Sequence, residues 1–83
     1  MELPGSYYPD DKKWITEQLG MIAHSVRNRV ISRYAEVYEE TYANTLDANQ
    51  KVCEARREAN TRLRLFVERR GILERLQKPP LSR

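Results

Sequence analysis

Residues 34–59 read YAEVYEETYANTLDANQKVCEARREA, and this stretch decides the fold. Tyr34, Tyr38 and Tyr42 recur every four residues, which is the spacing of side chains along one face of a helix. After the break at LDAN, Ala55 and Ala59 recur at the same spacing. Because so few residues separate the two patterns, we expect two antiparallel helices in which tyrosine rings face alanines.

The tyrosine ridge has other interpretations, because a row of aromatic rings can also stack on nucleic-acid bases or anchor a protein partner. Folding the chain at residues 46–47 places Tyr34 opposite Ala59 and Val30 opposite Leu63. Large side chains then meet small ones, and this favours packing in the core. The predicted core comprises Trp14, Val26, Val30, Tyr34, Tyr38, Ala55, Ala59, Leu63 and Phe66.

A shorter helix is predicted before the hairpin. Pro9 followed by two aspartates is typical of a helix start, and apolar residues then recur at helical spacing as far as Gly20. Ser25 is the expected N-cap of the second helix, which should run from about Val26 to about Thr45. The sequence therefore predicts an all-α fold of three helices, in which a short first helix packs on a long antiparallel helical hairpin. That first helix should cover the second on the side of Ile31 and Tyr42.

The third helix is expected to begin near Asp47, which together with Gln50 resembles a capping box. Its periodic apolar positions are Val52, Ala55, Ala59, Leu63, Phe66 and Val67. Gly71 could end this helix, or the helix could continue to Leu76. The sequence leaves both alternatives open.

The domain organisation follows from length and from the positions of proline. Eighty-three residues make one small domain. We expect an irregular N-terminal arm at residues 1–8 and a single three-helix domain at residues 9–76. Residues 77–83 are predicted to be a flexible C-terminal tail, because Pro79 and Pro80 are incompatible with a helix.

Composition narrows the class of protein. The single cysteine, Cys53, excludes an internal disulfide and fits a reducing compartment. The first residues contain no apolar segment typical of a signal peptide. No apolar run approaches the roughly 20 residues that span a bilayer. We expect a cytoplasmic protein without membrane contact.

The usual signals of catalysis are absent from the sequence. His24 is the only histidine, whereas a metal site needs several clustered ligands. The three glycines are isolated, so no glycine-rich phosphate-binding loop is present. We expect a protein that is not an enzyme, with no catalytic residues, no metal and no cofactor.

Charge is distributed unevenly along the chain. Residues 1–50 contain eight acids and five bases, whereas residues 51–83 contain four acids and ten bases. In an antiparallel hairpin, arginines from both helices collect at one end, where they could face nucleic acid or an acidic protein surface. They could equally be solvated arginines paired with nearby glutamates. The predicted patch comprises Arg27, Arg29, Arg33, Arg62, Arg64, Arg69 and Arg70.

A second surface is predicted on the third helix, on the side away from its apolar stripe. Leucine and isoleucine alternate there with arginine at heptad-like spacing, which is typical of an association surface. Alternatively, the C-terminal turn folds back onto the first helix. The predicted association surface comprises Arg62, Leu65, Arg69, Ile72 and Leu76.

Two segments resemble small helical accessory proteins of lambda-like temperate phages and prophages. They are YYPDDKKWITEQL at residues 7–19 and EARREANTRLRLFVERR at residues 54–70. The resemblance implies a bacterial cytoplasm and an accessory role in phage development or in the takeover of host machinery. It assigns no functional residues, but it implies action by binding.

The sequence thus favours a non-enzymatic adaptor that engages a host or phage protein. The alternative is a nucleic-acid-binding accessory protein that uses the arginine-rich end of the hairpin. A structural homodimer is the third hypothesis.

Overall fold

The computed structural model describes residues 2–77, with side chains described as far as Gly71. This part of the chain contains helices and no strand. The three helices are α1 (Lys12–Gly20), α2 (His24–Asn44) and α3 (Lys51–Gln77), and 3-10 turns at Pro9–Asp11 and Ala48–Gln50 precede α1 and α3. α2 and α3 form the antiparallel hairpin on which α1 packs, so the predicted all-α fold is confirmed.

The predicted N-cap of α2 is wrong. α2 begins at His24, and Ala23 is the cap, with an extended backbone whose carbonyl accepts the N–H of Val26 at 3.1 Å. Ser25 lies inside the first turn and is exposed. Alanine has no side-chain oxygen, so no side chain caps this end of the helix.

The reversal between α2 and α3 is held by polar contacts to the backbone. Lys51 Nζ donates to the carbonyl oxygens of Tyr42 at 3.0 Å and Thr45 at 2.7 Å. These carbonyls lie at the end of α2, where helical partners run out. Asp47, the predicted start of the next helix, accepts the N–H of Asn49 at 2.9 Å and begins the 3-10 turn that leads into α3.

The hairpin brings Tyr34 to the neighbourhood of its predicted partner, Ala59. The Tyr34 hydroxyl donates to the amide oxygen of Asn60, the neighbour of Ala59. Ala55 and Ala59 are almost completely buried. Because their side chains are small, the two helices can approach closely. The buried cluster consists of Ile15, Leu19, Ile22, Val26, Ile31, Tyr34, Val37, Ala59 and Leu63.

The predicted core residues fall into two groups. Val26, Tyr34, Ala55, Ala59 and Leu63 are buried, whereas Trp14, Val30, Tyr38 and Phe66 are half-buried against the same cluster. The largest fully buried side chains belong to α1, from which the predicted core included only Trp14. These are Ile15 and Leu19.

Two expectations at the hairpin turn are wrong. Val52 is 37% exposed and Tyr42 is 43% exposed, although the first was expected in the apolar stripe and the second under α1. α1 has only nine residues. It starts beside Arg56 and ends beside Arg27, so it covers the middle and the opposite end of the hairpin and not the turn.

Of the two alternatives at Gly71, the structure shows the longer helix, because the helical backbone of α3 continues through Gln77. Gly71 is therefore not a helix stop. The side chains of Ile72 and Leu76 and the tail at residues 78–83 lie outside the described residues. None of the helices described is both long and apolar enough to cross a membrane.

Candidate functional site

A groove with a volume of about 480 Å³ runs between α2 and α3, and no residue of α1 lines it. Its floor is apolar and is formed by the outer edge of the hairpin core. The floor residues include Val26, Val30, Val37, Ala59, Leu63 and Phe66. The groove is therefore an apolar surface that the described part of the chain leaves uncovered.

Five arginines form the rim of this groove, together with Leu65. Arg29 and Arg33 lie one turn apart on α2, and Arg62 and Arg69 lie two turns apart on α3. Arg70 extends the rim on α3. Positive charge therefore lines both sides of an apolar floor.

Only part of this charge is neutralised by the neighbouring acids. Arg33 pairs with Glu36 at 3.2 Å and Arg62 pairs with Glu58 at 2.8 Å. Both pairs are exposed and local to one helix, so each contributes little free energy. Arg29 and Arg69 form no ion pair with any described side chain.

Arg70 has a further property. Its Nε atom is buried and has no hydrogen-bond acceptor among the described residues. A guanidinium presents its donors in a fixed planar fork that suits a carboxylate or phosphate. Because this atom is closed to solvent, an occupant of the groove could reach it only after the Arg70 side chain moved.

The structure places the other two arginines of the predicted patch elsewhere. Arg27 donates from Nε to the carbonyl of Leu19 at 2.9 Å and from Nη2 to that of Ile22 at 3.0 Å, so it holds the end of α1. Arg64 is exposed, pairs with Glu68 at 3.3 Å and does not line the groove. Five of the seven patch residues are therefore brought together.

The described residues of the predicted association surface border the groove. Leu65 borders the same groove as Leu63 and Phe66, a relation that the sequence did not predict. Consecutive helical residues are about 100° apart, so Leu65 points away from the centre of the apolar stripe, as the sequence predicts. Arg62 and Arg69 flank it on the rim, and Leu65 is 39% exposed.

The tyrosine ridge does not present a set of open rings. Tyr34 is buried, and burial together with the nearby Asp11 carboxylate raises the pKa of its hydroxyl well above the usual range. Burial also raises the pKa of the half-buried Tyr38. Only Tyr42 is exposed, and its ring lies 5.3 Å below the ammonium group of Lys51.

Sequence reasoning missed a partly buried polar network on the opposite face of α3. Arg56 donates to both oxygens of Asp11, from Nε at 2.9 Å and from Nη2 at 2.7 Å. Asn60 donates to the same carboxylate at 3.1 Å and accepts from Tyr34. The guanidinium of Arg56 also lies 4.3 Å from the centre of the Tyr8 ring.

This network positions α1 and does not resemble a reactive site. The hydrogen bonds from Arg56 lower the pKa of the Asp11 carboxyl, although burial opposes them in part. Asp11 is therefore held as a carboxylate with its acceptors occupied. The only sequence signal was the acid pair at residues 10–11, which reads as an ordinary helix start.

Comparison with known proteins adds no assignment. No protein-family model matches the chain, and neither a curated protein nor a solved structure matches it. Within the part of the chain that the structure describes, no group of three or more His, Cys, Asp or Glu side chains could hold a metal ion. The groove between α2 and α3 is the strongest candidate site.

Proposed function

We propose that this protein is a non-enzymatic adaptor that binds a protein partner in the groove between α2 and α3. The observation that carries the proposal is the combination of an apolar floor with arginines on both sides. An apolar centre beside arginine is typical of the few residues that dominate binding energy at protein interfaces. Leu65, at the rim between Arg62 and Arg69, is the residue that we expect to be essential.

The resemblance of residues 7–19 and 54–70 to phage accessory proteins supports a partner of host or phage origin. An accessory protein of this kind would act in the bacterial cytoplasm and would need neither cofactor nor catalytic residue. The groove supplies the surface through which it would act.

A nucleic-acid-binding function is the second candidate, favoured by the five arginines of the rim. Two observations favour protein instead. Phosphate contacts would engage the arginines but leave the aliphatic floor uncovered. Tyr34, which could have stacked on a base, is buried and hydrogen-bonded to Asn60.

Affinity capture from a bacterial lysate, with and without nuclease, tests the proposal. Wild-type protein should retain a protein band after nuclease treatment, and Leu65→Glu should lose that band. Circular dichroism should show Leu65→Glu folded, because the new carboxylate lies between Arg62 and Arg69 at helical spacing. Val52→Glu is the matched control, since Val52 is an exposed apolar residue of α3 outside the groove.

The control should capture the same protein as the wild type. Capture of nucleic acid alone would favour the second candidate function. Equal capture by wild type and Leu65→Glu would remove the groove from the proposal.

A further inference from the structure

We infer that the occupant of the groove is an acidic, amphipathic α-helix of about three turns. This inference rests on the proposed function and specifies the class of partner. It follows from the shape of the floor, from the charge of the rim and from the chemistry of the alternatives.

The shape of the floor favours a helix. The floor is the valley between two packed helices, and a third helix can lay its side-chain ridges into such a valley. From Val26 to Val37 the α2 side extends roughly 16 Å, which is about three helical turns. An extended peptide that binds by adding a β-strand would need a strand edge, and the described residues contain no strand.

The charge of the rim indicates which residues should flank the apolar stripe of the bound helix. Arg29 and Arg33 stand on one side of the groove, and Arg62 and Arg69 stand on the other. An occupant whose apolar stripe faces the floor therefore places residues from both of its flanks beside guanidinium groups. Glu or Asp on both flanks would form charge-assisted hydrogen bonds with these arginines.

Other occupants have the wrong charge. A second copy docked groove to groove about a two-fold axis would bring an identical arginine rim against this one. The last six residues of the chain, KPPLSR, contain two bases and no acid. Neither would neutralise the rim.

Fluorescence anisotropy with the full chain and labelled synthetic peptides tests the inference. The first peptide is a three-turn helix with a leucine stripe flanked by glutamates. The second peptide has lysines in place of the glutamates. The third has the amino-acid composition of the first in a scrambled order that contains no apolar stripe. The fourth is the first peptide with a proline at its centre. The first should bind at least about tenfold more tightly than each of the others, and it should gain helical circular dichroism on binding.

Charge reversal on the protein locates the binding site. Arg62→Glu should weaken binding of the first peptide about tenfold or more, whereas Arg64→Glu should change it less than about twofold. The two variants are matched. Both arginines are exposed on α3 and both pair with a glutamate four residues away, but only Arg62 lines the groove.

Several results would overturn the inference. Equal binding of the scrambled peptide would exclude an amphipathic occupant, and undiminished binding of the proline peptide would exclude a helix. Self-association that is lost in Arg62→Glu would assign the groove to a second copy. Tighter, Arg62-dependent binding of a fluorescent DNA duplex would assign it to nucleic acid.

The two proposals fail in different ways. If capture of a lysate protein depends on Leu65 but the first peptide binds no more tightly than the others, the inference is wrong. The proposed function then still stands. Loss of both the capture and the peptide preference would overturn both.

Discussion

Arg56 and Arg69 lie on the same helix but have opposite surroundings. Arg56 makes two hydrogen bonds to the buried carboxylate of Asp11 and lies against the ring of Tyr8. Arg69 lies on the rim of the groove and pairs with no acid among the described side chains. The first arginine joins α1 to α3, whereas the second is available to an anionic partner.

The difference arises from what the rest of the chain brings to each face of the hairpin. α1 and the N-terminal arm cover one face, where they supply Asp11, Tyr8 and the buried Ile15 and Leu19. No residue of α1 reaches the groove between α2 and α3. The position of a nine-residue helix thus divides an arginine-rich helix into a side that α1 covers and a side that α1 leaves open.

The largest expected effect compares a leucine on each face. Leu19→Ala removes a side chain that is 1% exposed, and it should lower the free energy of unfolding by about 3 kcal/mol. Leu65→Ala removes one that is 39% exposed, and it should cost less than about 1 kcal/mol. Urea unfolding of both variants measures the difference. Equal losses would show that Leu65 is a core residue and that the groove is not an open face.

The second prediction concerns the paired carboxylate. Asp11→Asn should destabilise the protein by about 2 kcal/mol at pH 7, because the charged hydrogen bonds to Arg56 are lost. Asp10→Asn, on the same 3-10 turn but exposed, should change stability by less than about 0.5 kcal/mol. Urea unfolding at pH 7 compares them.

The pH dependence of this difference has a defined sign. The pKa of Asp11 is lower in the folded protein than its ordinary value of 3.8, so the folded state binds fewer protons at this site. The stabilisation is therefore complete above that value and is lost as the pH falls through the folded pKa. Wild type and Asp11→Asn should differ at pH 7 and converge in strong acid. A difference that persists there would contradict the charged pair.

The smallest expected effect concerns the rim. Arg69→Gln should change the free energy of unfolding by less than about 0.5 kcal/mol, and at low salt it should be slightly stabilising because it reduces repulsion among the rim arginines. Arg56→Gln is the matched change on the covered face, and it should be clearly destabilising because it leaves the Asp11 carboxylate unpaired. Thermal melts at low and at high salt measure both variants. Comparable destabilisation by the two changes would show that Arg69 is structural.

The predicted association surface shows what the spacing of residues in the sequence can predict and what it cannot. The arginine and leucine spacing at Arg62, Leu65 and Arg69 was visible in the sequence, and these residues do share one surface. Their relation to the core was not visible, because it depends on how α3 is rotated against α2. That rotation brings Leu65 to the border of the groove and joins the predicted surface to the apolar floor.

The sequence by itself determined the three helices and the antiparallel hairpin. The reason is that helical periodicity, a short connection and the pairing of tyrosines with alanines are local or nearly local features. It also determined that arginines would gather at one end of that hairpin.

Only the tertiary structure decided which arginines are structural. The pair of Asp11 and Arg56 joins residues far apart in the chain, and no periodicity predicts it. The same holds for Arg27, which binds the end of α1, and for the face that α1 leaves open. These features depend on where the short helix α1 packs. The free energy of that packing comes from burying Ile15 and Leu19 against residues that are distant in the sequence.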